Sequence, residues 1–126
     1  MNWWSRLWAA SRRAQEPDPK VQLVEGGFDL VSADDNAVIS GVRWSDVSRI
    51  QTYKLDLLTT DSICLLFEFR DGRAAVQVSE EWPGFANLIK SLSRAFPSIP
   101  TDWYGVAMKP AFATNQRVLY ESVPSQ

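Results

Sequence analysis

Residues Ser62 to Phe69 carry the pattern that most restricts the fold: Ile63, Leu65, Phe67 and Phe69 alternate with Cys64, Leu66, Glu68 and Arg70. Side chains of a strand point to opposite faces with period two, so this stretch is a strand with one wholly apolar face and one mixed face. Asp71-Gly72 follows as a two-residue hairpin signal, and Ala74, Val76 and Val78 continue the inward face on a return strand. An apolar sheet face has to be covered. Cover arrives a few residues on, where Phe85, Leu88, Ile89, Leu92 and Phe96 recur at helical spacing, with Pro83 suited to a first helical turn and Pro97 closing the far end.

Upstream, Val21 to Val24 and Phe28 to Val31 flank Glu25-Gly26-Gly27 and read as a hairpin. Ala33 to Asn36 forms a second turn into a third strand, Ala37 to Val42, and Trp44 to Val47 is a turn or a single helical turn. Ile50 to Leu55 pairs with Ser62 to Phe69 through a loop around Asp56 to Asp61. Pro100 to Thr114 reads as mostly irregular, with Trp103, Tyr104, Val106 and Phe112 as packing anchors, and Arg117 to Tyr120 as a last short strand. This order predicts an α+β domain: a bent antiparallel sheet of six or seven strands packed by an amphipathic helix. The element order resembles a pleckstrin-homology-like architecture, one that hosts lipid binders, peptide binders and scaffolds alike.

The first residues form a separate element. Pro17 and Pro19 stop a helix and stiffen the chain, which sets boundaries at 1–16 for an N-terminal element, 17–20 for a linker, 21–121 for the domain and 122–126 for a tail that frays. On a helical wheel Trp3, Trp4, Leu7, Trp8, Ala10 and Ala14 share one arc, with Arg6, Arg12 and Arg13 opposite. This is a basic amphipathic helix, too short to be stable alone in water, so it docks on its own domain, on a partner or on a membrane surface through Trp3, Trp4, Leu7 and Trp8.

Composition narrows the chemistry. The 126 residues, 45% of them apolar, suit one domain that buries roughly two-thirds of its unfolded surface without a metal or disulfide. There is no His and one Cys, which excludes imidazole and thiolate metal sites, Cys/His nucleophiles and Ser/His/Asp relays. A net charge of −2 argues against a protein that coats nucleic acid. One cysteine points to an intracellular protein, and no apolar run reaches the roughly 18 to 20 residues that span a bilayer. Arg6 interrupts the apolar part of the N-terminus, so it is a poor signal peptide and is expected to remain on the protein. The expected location is the cytoplasm, with the inner-membrane surface open to it through residues 1–14.

No phosphate-cradling or serine-nucleophile motif occurs, and an enzyme would have to work through carboxylates: Asp34-Asp35, Asp56 with Asp61, or Glu80-Glu81. Aspartates in turns and glutamates at a helix start are explained by local hydrogen bonds and the helix dipole. No cofactor and no metal are therefore expected. Cys64, inside an apolar strand, reads as a packing residue, and Tyr53 with Lys54 as a buried tyrosine beside a solvated lysine. Outside the N-terminal element the charge is −4, and Asp34, Asp35, Asp56 and Asp61 all fall in expected turns. Acidic loops on a rigid sheet suit contact with a basic protein.

Three stretches carry a resemblance: Trp44-Ser45-Asp46-Val47 with Ile50, Tyr53-Lys54, Asp56, Asp61 and Ile63; Ser79-Glu80-Glu81 with Gly84-Phe85 and Leu88; and Trp103, Val106 and Pro110 to Asn115 with Leu119-Tyr120. Together they resemble a group of small bacterial cytoplasmic proteins, some of which sit beside polymorphic toxins as immunity proteins. The resemblance covers residues 28 to 121 and omits the Trp-rich start. It implies a non-enzymatic domain that neutralises a toxin by occlusion. A peripheral membrane adaptor anchored by the N-terminal helix is the other reading the residues allow.

Overall fold

The structure is a computed structural model that describes residues 17–56, 61–109 and 116–122. The N-terminal helix expected over 1–16 lies outside the described residues, as do Trp3, Trp4, Leu7, Trp8 and Phe112. The described chain is α+β. Its strands are β1 (Lys20–Val24), β2 (Gly27–Val31), β3 (Val38–Arg43), β4 (Val47–Asp56), β5 (Asp61–Phe69), β6 (Val76–Ser79) and β7 (Arg117–Glu121), with helices α1 (Phe85–Ala95) and α2 (Trp103–Ala107) between the last two strands.

The expected single bent sheet is divided into two. One has three strands in the order β1-β2-β3 and the other four in the order β6-β5-β4-β7, with every described pairing antiparallel. The division falls at Trp44–Asp46, a single 3-10 turn between β3 and β4. That turn is tied to both sheets: the Trp44 amide donates to the Gly26 carbonyl at 2.8 Å and the Arg70 amide to the Asp46 carbonyl at 2.9 Å. The β3–β4 link thus changes sheets instead of closing a hairpin.

Aromatic rings join the two sheets. Phe28 of β2 meets Phe67 of β5 edge-on at 5.1 Å, Trp44 lies 5.7 Å from Phe28 and 5.6 Å from Phe96 beyond α1, and Phe96 lies 4.5 Å from Tyr120 of β7. Such pairs add roughly 0.5–1.5 kcal/mol each beyond their burial, and here they cross every layer of the core. The helical stripe is as the spacing predicts. Phe85, Leu88 and Leu92 of α1 are buried with Ile50, Ile63, Leu65, Phe67 and Val78, and Ile89 packs at their margin. Gly84 allows α1 to come this close. Its φ is +91°, and a Cβ there would overlap the carbonyl of Val21, whose amide donates to Pro83 O at 2.8 Å.

Two local expectations change. Asp71-Gly72 does turn the chain, with Asp71 Oδ1 accepting from the Arg73 amide at 3.0 Å, but β6 first pairs at Phe67↔Val76 and Ala74 is exposed. The Arg73 guanidinium stacks 3.8 Å over the Phe69 ring, which holds residues 70–75 in a wider arch than a two-residue hairpin. The stretch after Pro100, expected to be irregular, contains α2. Five residues are too few to show a period, yet Trp103 and Ala107, one turn apart, both enter the core.

Candidate protein-binding surface

The turn between β2 and β3 presents the longest exposed run of the described chain: every residue from Ala33 to Ile39 is exposed. Its backbone is nevertheless held by hydrogen bonds. The Ser32 amide donates to Ala37 O at 2.8 Å, the Asn36 amide to Ser32 O at 3.0 Å, and the Ala37 amide to Asp35 Oδ1 at 3.0 Å. Asn36 takes φ +58°, a left-handed conformation that asparagine tolerates. One carboxylate thus shapes the turn, and Asp34, exposed beside it, is left to face solvent.

Past this turn, β3 leaves its first two apolar residues outside, while Val42 further along enters the core. Val38 is 62% and Ile39 60% exposed. Pairing runs Leu30↔Ser40 and then Val31↔Val38, so Ile39 is an extra residue and β3 bulges there. A bulge on an edge strand disfavours strand addition, and β3 is the edge of its sheet. What this corner can offer a partner is therefore its side chains: two β-branched apolar groups beside Asp34 and Asp35. Further along, Arg43 pairs with Asp29 at 3.1 Å over Gly41, where a Cβ would stand 3.1 Å from Asp29 Oδ1. The dipeptide Val38-Ile39 is a signal that composition arguments passed over, because adjacent strand residues cannot both point into one core.

The second acidic pair behaves differently. Register places Asp56 opposite Asp61 at the close of the β4–β5 ladder, in the other sheet from Asp34 and Asp35. Asp61 is not a loop residue facing solvent: its side chain is 17% exposed and lies 3.9 Å from the ammonium of Lys54. Lys54 is itself 4% exposed, the reverse of the solvated lysine expected, and donates to Met108 O beyond α2 at 3.3 Å. The cause is register. Ile50, Thr52 and Lys54 pair with Phe67, Leu65 and Ile63, so the lysine shares the core face and Tyr53 takes the outer one. Nearby, the Tyr104 hydroxyl donates to Glu80 Oε2 at 2.5 Å, and burial with this bond pushes the phenol up to about 12. Glu80 and Glu81 therefore do not open the helix, which starts at Phe85; Glu80 ties α2 to the loop after β6. Sequence reasoning missed these contacts, since Lys54 with Asp61 and Tyr104 with Glu80 meet only in three dimensions.

On the outer face of the four-stranded sheet, Arg49 forms a forked pair with Glu68, Gln51 Nε2 donates to Glu68 at 2.9 Å, and Gln116 Nε2 donates to Gln51 Oε1 at 2.6 Å. The bonds from Arg49 hold the Glu68 carboxyl below its usual range. Cys64 is fully buried, and burial, with the charge of Glu80 second, pushes its thiol up to about 12.

Among the clefts lined by described residues are the following two. One of about 580 Å³ lies between the start of β4 and the arch after β5, and its charges, Arg49 and Arg73 against Glu68 and Glu121, balance. The other, about 300 Å³, lies between α2 and the β4–β7 pair. Among the described residues no group of three or more acidic or cysteine side chains is placed to hold a metal, and no helix is long and apolar enough to cross a membrane.

Fold and surface together define the chain as an α+β protein of two packed antiparallel sheets with an exposed acidic-apolar corner. No protein-family model matches it, and neither does a curated protein or a solved structure.

Proposed function

We propose that this chain is a non-enzymatic protein-binding domain of the immunity type, which neutralises a basic toxin domain in the cytoplasm by occluding it. The observation that carries the reading is the corner Ala33–Ile39, where Val38 and Ile39 stand exposed beside Asp34 and Asp35. Binding hot spots combine an apolar anchor that is desolvated on contact with a polar rim that steers and excludes water. The acidic rim favours a basic partner. The two-sheet core, read here as pleckstrin-homology-like, supplies a rigid base for that corner. The resemblance of residues 28–121 to a group of small bacterial proteins, some of them candidate immunity proteins, is the second support for this reading.

The test starts with full-length tagged protein as bait in its native cells, followed by kinetics on the captured partner. Asp34→Lys with Asp35→Lys should slow association at low salt, and Val38→Ser with Ile39→Ser should speed dissociation. Wild-type rates in both folded double variants would remove this surface from the mechanism. Capture of an enzyme whose activity the full-length chain leaves intact would remove the immunity role.

A second reading is a peripheral membrane adaptor, favoured by one feature of the sequence: the Trp3, Trp4, Leu7 and Trp8 arc opposite Arg6, Arg12 and Arg13. Co-sedimentation with anionic vesicles that is lost when residues 1–16 are removed would favour it over occlusion.

A further inference from the structure

The outer face of the four-stranded sheet is drier than an open sheet face should be. Register turns Gln51, Tyr53, Ser62, Cys64, Leu66 and Ser79 to that side, away from the core face of Ile50, Leu65 and Phe67. On a solvated face of an antiparallel sheet, Ser and Gln stand in water. Here Cys64 is 0%, Ser62 1%, Gln51 8% and Ser79 9% exposed, and Tyr53 and Leu66 are half-buried. The three-stranded sheet gives the contrast, because Lys20, Gln22 and Arg43 on its outer face are all exposed. A Tyr53–Gln77 bond spans Cys64, yet the paired hydroxyls of Ser62 and Ser79, 2.9 Å apart, lie toward the other end of the face. Both described helices pack on the opposite side, where Leu88 and Leu92 of α1 and Trp103 of α2 join the core of Leu65 and Phe67.

The path of the chain decides what can reach this face. The Val21 amide donates to Pro83 O at 2.8 Å and the Glu80 amide to Ile63 O at 2.9 Å, so β1 begins beside the loop that leaves the Ser62 and Ser79 end of the sheet. Residues 17–19 therefore deliver the first sixteen residues to that end. As a helix those residues would reach about 24 Å at ~1.5 Å per residue, and four strands ~4.8 Å apart are about 14 Å across. Residues 57–60 and 110–115 are links tied at both ends, too short to lie across all four strands and return, and 123–126 is a shorter tail at the β7 margin. Charge matches as well, with a balance of +2 through Lys20 and −4 beyond it.

We infer that the outer face of the four-stranded sheet is the docking surface for residues 1–16 of the same chain, with Trp3, Trp4, Leu7 and Trp8 on Tyr53 and Leu66, and with Arg6, Arg12 and Arg13 toward solvent and the exposed Glu81 beside Ser79. An amphipathic helix too short to be stable alone gains its stability from burying its stripe, and the sheet gains cover for side chains that water would otherwise reach. The inference is independent of the acidic corner, which shares no residue with this face. It also separates occlusion from the adaptor reading, because a docked Trp stripe is not free to enter a membrane.

The experiment is NMR on isotope-labelled full-length protein, with limited trypsin digestion read by mass spectrometry as the second measurement. Nuclear Overhauser contacts from the indole rings of Trp3, Trp4 or Trp8 to the methyls of Leu66 are expected, unchanged on dilution. Cleavage after Arg12 should be at least about tenfold faster in Leu66→Glu than in the wild type, because a docked segment has to open before it is cut. Where Leu66→Glu fails to fold, Trp4→Glu with Trp8→Glu serves the same comparison. No indole contact to this face, contacts to Leu66 from 57–60 or 110–115 instead, contacts that fade on dilution and so come from a second copy, or equal cleavage in the wild type and the folded variant would overturn the inference.

Discussion

The Tyr53 hydroxyl donates to Gln77 Oε1 at 2.6 Å, and the two residues belong to β4 and β6, strands separated by β5. Cys64 of β5 pairs with Tyr53, and Gln77 Nε2 lies 3.8 Å from its sulfur, so the bridge roofs the thiol. With the thiol pushed up to about 12 and fully buried, Cys64 should resist a thiol reagent in the native protein at pH 8 and react when urea unfolds it. Gln77→Ala should raise the native-state rate. Rapid native labelling of the wild type, followed by mass spectrometry, would show that the roof is open.

Leu65 of β5 and Leu92 of α1 are both fully buried in the shared core. Leu65→Ala and Leu92→Ala should each destabilise by about 2–5 kcal/mol, measured as a lower urea midpoint. An unmoved midpoint in either would mean that the sheet and α1 do not share that core.

The Lys54–Asp61 pair should show strong coupling. Removing the ammonium alone, as in Lys54→Met, leaves Asp61 facing the core and should cost about 2–4 kcal/mol, a figure reduced from the fully buried case because Asp61 retains some solvent. Lys54→Met with Asp61→Asn should recover part of that loss. Additive losses in the double variant would place the cost in packing rather than in the pair.

Glu68 predicts the acid limb of the stability curve. Its folded carboxyl is held down by the hydrogen bonds from Arg49, while the unfolded residue titrates in the ordinary range near 4.3. Its contribution is present above that value and is lost as pH falls through the lower folded value. Glu68→Gln should therefore flatten the fall in stability below pH 5, with little change of slope near neutrality. An unchanged acid slope would show that the fork with Arg49 does not persist in solution.

How the fold was encoded is visible element by element. Strand β5 and helix α1 were legible because their apolar residues repeat at periods of two and of 3.6, and burial of those faces dominates the local choice of backbone. The Asp34-Asp35 turn was legible too, from residue types that bond their own backbone. Lys54 was not, because the face a residue occupies depends on the register of its strand against β5. Nothing in Tyr53-Lys54 alone distinguishes the face of Ile50 from that of Gln51.

What the sequence determined by itself is thus local: strands, the α1 stripe, the turns, and the absence of imidazole chemistry in a chain with no His. Tertiary structure alone decided the rest. It divided the strands between two sheets at Trp44–Asp46, turned Asp61 onto Lys54, left Val38 and Ile39 outside, and brought Tyr104 of α2 to Glu80. The physical reason is range. Periodicity and turn chemistry act over a few residues, whereas register, bulges and the meeting of charges depend on contacts between strands and helices distant in the chain, which only the packed core brings within a few ångströms of one another.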